Sequence, residues 1–407
     1  MRFTRKARLL LLLTGILFLS MFSRLIFAPL LVYIREDLGL SQSQAGSLFL
    51  VITLGYSPGM LFSGYLTARV RHRGGIILSL LLVALGLFVV SLSATYPVML
   101  AGLWVLGLGA GLYPTSGVAT IHATINPTRA GQALAIHEMG PNMAYFAVPL
   151  MVLLFHARLG WRGILLVVVA LNLVMALIYS RRGSGGLSHG KPPHFSRMRA
   201  VIRLPEAWFI FFLFCVALSA QQGIFSILPM FLVTDKGITP DRVNTLISLS
   251  RISGVVILFV SGALVDRFGA RPVIVTVFVV SGIATVFVAL AGGFLLRAAV
   301  IVQPALLAAF FPAGLMIVSR IGPPDSQNVT FSMIINFAVL FGNGIVPTFI
   351  GWLGDRNALS MGFLLIALAT LFAALVLYLN RSFGRMAPPD PAPPAAEAAS
   401  PAGPALR

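Results

Sequence analysis

The sequence predicts an all-α, polytopic membrane protein with twelve transmembrane helices in two pseudo-symmetric six-helix bundles. Of its 407 residues, 58% are hydrophobic and 10% are charged, and the mean hydropathy is +0.95. A soluble domain carries roughly 25% charged residues. Twelve apolar stretches of about 20 residues are each long enough to span a ~30 Å hydrocarbon core. The chain also repeats part of its own sequence, which predicts the two related bundles.

The repeat is clearest in two short segments that lie 198 residues apart. Residues 64–73 read GYLTARVRHR, and residues 262–271 read GALVDRFGAR. The identical pairs at this offset are Asp37 and Asp235, Gly39 and Gly237, Ser63 and Ser261, Gly64 and Gly262, Leu66 and Leu264, Arg69 and Arg267, and Arg73 and Arg271. A constant offset over some 35 residues indicates two halves of common plan.

The first predicted helix could be mistaken for a secretory signal, because four basic residues precede its leucine run. However, the apolar stretch continues past Arg24 to Ile34 without a small-residue cleavage site, so we expect it to be retained. The other predicted helices cover approximately residues 44–66, 76–93, 98–121, 129–156, 161–180, 207–232, 243–265, 272–291, 298–319, 329–353 and 358–379.

These helices divide the chain into four parts. We expect an N-terminal bundle at residues 1–180, a cytoplasmic linker at 181–205, a C-terminal bundle at 206–382 and a disordered cytoplasmic tail at 383–407. The linker and the tail are rich in Gly, Ser, Pro or Ala and have too little apolar bulk to fold. The single cysteine, Cys215, excludes an intramolecular disulfide, and we expect neither a metal site nor a cofactor.

The formal charge of +18 is explained by topology. With the N-terminus inside, 20 of the 29 Lys and Arg residues fall on the cytoplasmic side, as the positive-inside rule requires. Both termini are therefore predicted to be cytoplasmic, in a multi-pass protein of a bacterial inner (plasma) membrane. No basic patch interleaved with aromatic residues lies in a soluble region, so we expect no nucleic-acid partner.

The second copy of the repeat also suggests a family. Gly262, Asp266, Arg267, Gly269 and Arg271 resemble the loop signature between the second and third helices of each half in major facilitator superfamily transporters. The resemblance covers about residues 9–382 and implies a secondary transporter that works as a monomer by alternating access between two halves. It assigns gating roles to Gly262, Asp266, Arg267, Arg271, Gly64 and Arg69.

The sequence departs from the superfamily pattern at several places. Ala68 stands where the first signature would carry Asp, and Arg71 where it would carry Gly. Leu103 replaces an Arg found in many proton-coupled members. Helix 5 also lacks the glycine-rich signature of proton-driven drug antiporters. The acidic residue missing from the first copy places more of the gate control on the second copy.

Only three charged residues lie deep within predicted spans: Arg24, Glu138 and Arg251. Such residues are costly in lipid and usually face a polar interior. Arg24 lies about 22 Å along helix 1, and Arg251 about 12 Å from the outer end of helix 8, which are similar depths. We expect both arginines, with the polar residues Gln222 and Asn336, to bind the substrate. Alternatively, Arg24 extends to the headgroups or pairs with Glu138.

Glu138 is the only acidic residue within a span, and His137 precedes it. A carboxyl buried in the membrane is a candidate proton carrier because desolvation favours its neutral form. We expect Glu138 and His137 to couple transport to protons. A static counter-ion for Arg24 or Arg251 is the competing interpretation.

The most consistent function is therefore transport of a small organic anion. The expected coupling is proton symport, with protons and the lipid bilayer as the other partners. Paired arginines suit a carboxylate or phosphate because the guanidinium binds such groups bidentately and stays charged. The alternative is an exporter of drugs or other lipophilic compounds, for which the 30 Phe residues could line a cavity. An enzyme is not expected, since the sequence carries no nucleophile–base set and no nucleotide-binding loop.

Overall fold

The computed structural model of this chain describes residues 5–183, 185–190, 202–318 and 327–380. Within these ranges the regular secondary structure is helical and no strand occurs. The predicted all-α fold is thus confirmed. The predicted disordered tail and the middle of the predicted linker lie outside the described residues.

Five long helices build the first half of the chain. They are α1 (Arg5–Leu25), α2 (Phe27–Leu38), α3 (Gln42–Ser91), α4 (Tyr96–Thr124) and α5 (Pro127–Arg182). Helices α3 and α5 have 50 and 56 residues and each bend at a residue with positive φ, Arg71 and Gly160 respectively. At 1.5 Å per residue each is far longer than one crossing, so each contains two of the predicted spans.

The second half is divided into shorter segments. They are α6 (Pro205–Leu218), π1 (Ser219–Gly223), α7 (Ile224–Thr234), α8 (Pro240–Phe268), α9 (Ala270–Leu290), α10 (Gly293–Ala308), α11 (Phe310–Val318), α12 (Gln327–Val339), π2 (Leu340–Ile345), α13 (Val346–Gly354) and α14 (Leu359–Leu379). The two π-helical turns, π1 and π2, each interrupt a longer helix. Such turns are rare and occur frequently at functional sites.

Eight segments of the described chain are long and apolar enough to cross a membrane, including α3 and most of α5. The described structure therefore agrees with a polytopic membrane protein, while the number twelve stays a prediction. The bundle has two ends. We call the one at Arg5, Arg182 and Leu379 the terminal end, and the opposite one, at Leu38, Tyr96 and Asp355, the distal end.

The 198-residue repeat is visible in hydrogen bonds at the terminal end. Arg73 donates to the carbonyl of Ser180 (2.5 Å), and Arg271 donates to the carbonyl of Tyr378 (2.6 Å). Both donor and acceptor pairs obey the same offset. Since carbonyls in the last turn of a helix have no partner within the helix, each arginine satisfies one. The sequence repeat is thus also a structural one.

Arg71 provides a stability prediction. Its φ of 61° and ψ of 166° fall in a region that only glycine occupies without strain, and its counterpart Gly269 adopts φ 81° and ψ 160°. We expect Arg71→Gly to raise the melting temperature in detergent, because relief of about 1–3 kcal/mol of strain exceeds the ~0.5–1 kcal/mol entropy cost of glycine.

The matched control for that experiment is Arg69→Gly, since Arg69 lies two residues earlier within the same helix. There a glycine relieves no strain and costs about 1 kcal/mol of helix propensity. A melting temperature lowered equally by both substitutions would show that Arg71 is unstrained.

Candidate functional site

A small cavity of about 30 Å³ lies between the two halves of the bundle. That volume holds about one or two water molecules, so the conformation is closed around its centre. Both halves supply polar side chains to the cavity: Arg24, Thr53, Gln222, Ser226 and Asn343. The structure therefore brings the predicted residues Arg24 and Gln222 together.

Arg24 lies in the last turn of α1, where the chain passes into α2. Its guanidinium carbon lies 4.5 Å from the centre of the Tyr56 ring, a cation–π distance. Its polar contacts are long ones, to the Ser20 carbonyl at 3.5 Å and to the Met21 sulfur at 3.2 Å. Among the described residues no carboxylate forms an ion pair with it. Most of its five N–H donors therefore remain available.

Arg251 lies in the middle of α8 and is only 8% exposed. Its guanidinium lies in the corner formed by two rings, at 4.6 Å from the centre of Tyr145 and 4.5 Å from the centre of Phe225. These rings meet edge to face, with their centroids 5.1 Å apart. The Nε–H of Arg251 has no hydrogen-bond partner, and no carboxylate of the described chain lies within ion-pair distance.

Each of the two arginines has a tyrosine neighbour, Tyr56 beside Arg24 and Tyr145 beside Arg251. Because Phe225 lies between Gln222 and Ser226, which line the cavity, the surroundings of both arginines form one cluster built by the two halves of the chain. The predicted pairing of Arg24 with Glu138 is absent from the described ion pairs.

The π-helical turns hold the polar side of this cluster. Gln222 lies in π1 and Asn343 in π2, and the Asn343 amide donates a hydrogen bond to the Gln222 side-chain oxygen. The Asn343 oxygen has no partner. Gln303 donates to the Ala220 carbonyl at 2.6 Å, which satisfies a backbone group that the π-turn displaces. A polar pair of this kind offers both donors and acceptors to a ligand.

Glu138 heads a chain of hydrogen bonds on α5. Its carboxylate oxygen lies 3.3 Å from His137 Nδ1, and His137 Nε2 lies 2.8 Å from the Tyr113 hydroxyl. Tyr113 in turn donates to the Leu13 carbonyl at 2.6 Å. The Glu138 side chain is 63% exposed, whereas His137 is 1% exposed. A surface-accessible acid is therefore connected to a fully buried imidazole.

The donors along this chain fix where a proton must be. Because the single hydroxyl proton of Tyr113 goes to Leu13, His137 Nε2 must carry the hydrogen that it shares with Tyr113. A neutral imidazole then has no hydrogen on Nδ1. The contact between Nδ1 and the Glu138 carboxyl is therefore a hydrogen bond only if one of these two groups carries an additional proton.

At the distal end the two halves are joined through Asp355, which follows α13. Its carboxylate accepts hydrogen bonds from the first turn of α3: from the backbone of Gln42 (2.6 Å) and Ser43 (3.1 Å), and from the hydroxyls of Ser43 (2.5 Å) and Ser41 (3.1 Å). Partial burial by itself raises the pKa of the Asp355 carboxyl. The four hydrogen bonds together have the larger effect, so the pKa lies below its usual value. A carboxylate at a helix N-terminus is also stabilised by the helix dipole.

Next to the Asp355 contact, glycines let α3 approach π2 and α13 closely. A Cβ at Gly46 would overlap the backbone of Pro347, and one at Gly351 would overlap the backbone of Gln42. Deeper in the bundle, a Cβ at Gly344 would overlap the Thr53 side chain. The interface of α3 with π2 and α13 is therefore tightly packed, and the distal side is closed.

The sequence also matches the model of one protein family. The sequence matches the Major Facilitator Superfamily over residues 13–249 and again over residues 210–407. The chain belongs to the major facilitator superfamily. It is accordingly a membrane transporter of that class, and the resemblance seen in residues 262–271 is confirmed.

Solved superfamily structures share this fold. A bacterial homolog of the human lysosomal transporter Spinster, in an inward-facing and occupied conformation, superposes with a TM-score of 0.77 at 16% identity, covering 93% of this chain and 97% of that one. A peptide transporter POT variant in complex with alafosfalin superposes with a TM-score of 0.75 at 18% identity, covering 93% of this chain and 95% of that one. A D-xylose-proton symporter superposes with a TM-score of 0.74 at 15% identity, covering 91% of this chain and 96% of that one. No curated protein matches the chain.

The two signature turns differ in their contacts at the terminal end. The first is held by residues 186–190: the amides of His72 and Arg73 donate to the carbonyls of Ser188 and Gly186, and the Gly190 amide donates to the Thr67 carbonyl. Arg69, Asp266 and Arg267 are exposed, and Arg267 lies over the ring of its neighbour Phe268. Gly64 and Gly262 lie inside α3 and α8, and Arg271 holds the end of α14, as described above. Among the described contacts, no hydrogen bond or ion pair of these residues joins the two halves.

Some residues of this site had no strong signal in the sequence. Asn336, predicted in the cavity, is instead fully buried where its amide faces the Ser57 carbonyl at 3.5 Å across the halves. Tyr56, Tyr145 and Phe225 surround the arginines but are aromatic residues among many. Their contacts join distant helices, so no local pattern identifies them.

Proposed function

We propose that this superfamily member moves a small organic anion across the membrane, with Arg24 and Arg251 as the anion ligands. The main supporting observation is the environment of Arg251, whose guanidinium is buried against two aromatic rings and has no carboxylate partner among the described residues. A buried cation is costly unless an anion accompanies it. Arg251 does not line the small cavity of this conformation, so a carboxylate, sulfonate or phosphate would supply that partner once the site enlarges, and a guanidinium binds such a group bidentately.

The surroundings of the two arginines favour an anion with an apolar body. Tyr56, Tyr145 and Phe225 offer aromatic surface beside the guanidinium groups, and aromatic rings contribute strongly to ligand burial. The polar end of the substrate would meet Gln222 from the second half. Asn336 would join it when the halves separate, because its side-chain oxygen has no partner in the closed interface.

The cavity volume supports alternating access. About 30 Å³ is too small for an organic substrate, so the site must enlarge at one end to load. The distal end is closed by Asp355 and the glycine contacts, which join the two halves, whereas no described contact of the signature turns at the terminal end does so. Loading from the terminal end would require the smaller change in this conformation.

We also propose that the protein lies in a bacterial inner membrane with both termini in the cytoplasm. The basis is the distribution of charge, since 20 of the 29 Lys and Arg residues then face the cytoplasm. In that orientation the closed distal end is the outer one, and the site would load from the cytoplasm.

Uptake into proteoliposomes tests the proposed substrate class. We expect saturable uptake of one or more labelled carboxylates, sulfonates or phosphate esters, competed by unlabelled anions of the same class. Transport confined to neutral or cationic lipophilic compounds would overturn the proposal and support the alternative, an exporter of drugs. The aromatic surface around Arg251 is the one observation that favours this alternative.

We further propose that Glu138 and His137 carry the coupling proton. The imidazole and the carboxyl lie 3.3 Å apart, within hydrogen-bond distance, and the Glu138 side chain is accessible. Protonation of the pair would change the electrostatic field at the anion site. The accessible carboxyl offers the proton a route to one side of the membrane.

We predict that Glu138→Gln separates exchange from accumulation. A glutamine can still contact His137 but cannot gain or lose a proton, so uptake should no longer respond to an imposed pH gradient, while exchange of labelled for unlabelled anion persists. The measurement is anion accumulation with and without the gradient, alongside counterflow. Glu138→Asp, which keeps an ionisable group, is the control and should retain gradient stimulation. Accumulation driven normally by the gradient in Glu138→Gln would contradict the assignment.

A further inference from the structure

A cleft of about 710 Å³ at the terminal end lies apart from the central cavity. It is formed by the first turns of α1 and the last turns of α5, and the bend of α3 closes it. Five arginines line it: Arg5, Arg8, Arg73, Arg181 and Arg182. No acidic side chain lines it among the described residues. The arginines come from three helices, so their convergence is produced by the fold.

The other wall of this cleft is apolar. Leu9, Leu11, Leu12, Met175 and Ile178 line it beside the arginines. Leu11 is 51% exposed, as expected for an apolar side chain on the lipid-facing side of a membrane helix. A ligand that fits both walls has an anionic head and hydrocarbon chains. This combination is the chemistry of an anionic phospholipid.

The general positive-inside bias does not account for the cluster. At the 198-residue offset the second half carries Arg203 and Arg271, but Glu206, Leu379 and Asn380 replace the counterparts of Arg8, Arg181 and Arg182. Topology demands basic residues near the terminal end of both halves, yet the five arginines around this cleft all belong to the first half. A local requirement in that half explains the difference.

One of the five arginines is already positioned by the fold. Arg73 donates to the Ser180 carbonyl at 2.5 Å, which holds its side chain against the end of α5. Arg5, Arg8, Arg181 and Arg182 are exposed. The N-terminus of α1 adds partial positive charge to the same place, because its first amides have no acceptor within the helix. The field in the cleft is therefore strongly positive.

We propose that this cleft binds the phosphodiester headgroup of an anionic phospholipid, with the acyl chains along the leucine wall. Arg8, Arg181 and Arg182 contact the phosphate, and Arg73 fixes the floor of the site. A headgroup with two phosphodiesters fits the charge and the volume best. Such a lipid would join α1 to α5 at the end of the first bundle. This inference does not depend on the identity of the transported substrate.

The test uses the full-length protein, delipidated in a neutral detergent and titrated with diphosphatidylglycerol, phosphatidylglycerol or phosphatidylcholine. Bound lipid is counted by native mass spectrometry, and the melting temperature is recorded in parallel. We expect the doubly anionic lipid to bind and to raise the melting temperature, and phosphatidylcholine to do neither. The triple variant Arg8→Gln, Arg181→Gln and Arg182→Gln should bind it about 100-fold more weakly, at about fivefold per arginine.

The control removes the same charge elsewhere, through Arg158→Gln, Arg242→Gln and Arg297→Gln, three exposed arginines near the distal end. This control should bind lipid as the wild type does; an equal loss would mean non-specific attraction and overturn the proposal. Equal stabilisation by inorganic phosphate or glycerol phosphate would reveal a site for soluble phosphates and also overturn it. Should the triple variant misfold, Arg182→Gln alone must weaken binding about fivefold.

Discussion

Arg251→Gln is expected to abolish saturable anion uptake while leaving the empty protein as stable as the wild type, or more so. Hydrogen bonds to a charged partner contribute about 1.5–3 kcal/mol each, so loss of a bidentate contact should lower kcat/KM by at least about 100-fold. The glutamine also relieves the protein of a buried cation that has no described anionic partner. Activity and stability should therefore change in opposite directions.

Two measurements distinguish this role from a structural one. Initial uptake rates across anion concentrations give kcat/KM, and thermal unfolding without substrate gives the stability. Arg251→Lys keeps the charge but loses the planar contact with Tyr145 and Phe225, so intermediate uptake is expected. Arg242→Gln, an exposed position about 13 Å earlier on α8, is the matched control and should transport normally. Normal uptake in Arg251→Gln would refute the anion site.

Features that depend on the backbone of one segment could be predicted from the sequence. The offset that pairs Arg73 with Arg271 also pairs their acceptors, because a repeated turn repeats the groups that close it. Gly39 and Gly237 likewise share a left-handed conformation, with φ of 61° and 64°. The depth of Arg24 and Arg251 could be predicted as well, since charged residues in long apolar stretches are rare and easily located.

Features that depend on contacts between the halves could not be predicted. Phe225 and Tyr145 enclose Arg251 from two other helices, and nothing in their neighbouring residues distinguishes them from the remaining aromatic residues. The π-turn at Gln222 is equally hidden, because its sequence is compatible with a regular α-helix. Asn336 was predicted in the cavity from its polarity and depth alone. Its orientation toward Ser57 is decided by the packing of α3 against α12.

The sequence also gave no reason to single out Asp355, which lies 312 residues from Ser43 in the chain. Asp355→Asn is expected to open the distal closure. An amide cannot accept the four hydrogen bonds that the carboxylate accepts, and it has no charge to interact with the dipole of α3. Loss of about 2–3 kcal/mol shifts a two-state equilibrium about 30- to 150-fold toward the open form.

Accessibility of an engineered thiol measures that shift. In a Cys215→Ser background, Thr348→Cys places a thiol in the closed interface, where Thr348 lies against Gly46. Labelling by a membrane-impermeant maleimide should be slow there and at least tenfold faster when Asp355→Asn is added. Asp37→Asn is the matched control, because Asp37 also forms an ion pair at the distal end, but within the first half, with Arg162. Unchanged labelling in Asp355→Asn would show that the glycine contacts close the distal side alone.

Acidification should act on the same contact in a defined direction. Because the folded pKa of Asp355 is lowered, its contribution to closure is fully present above the ordinary carboxyl pKa of about 4 and is lost as the pH falls through the lowered value. The labelling rate of the Thr348→Cys thiol is divided at each pH by that of a fully exposed cysteine, which corrects for the falling thiolate fraction. This ratio should therefore stay low at neutral pH and rise only below about pH 4. In Asp355→Asn, with no carboxyl to protonate, that rise should disappear. A wild-type closure that opened between pH 5 and 7 would require a different titrating group.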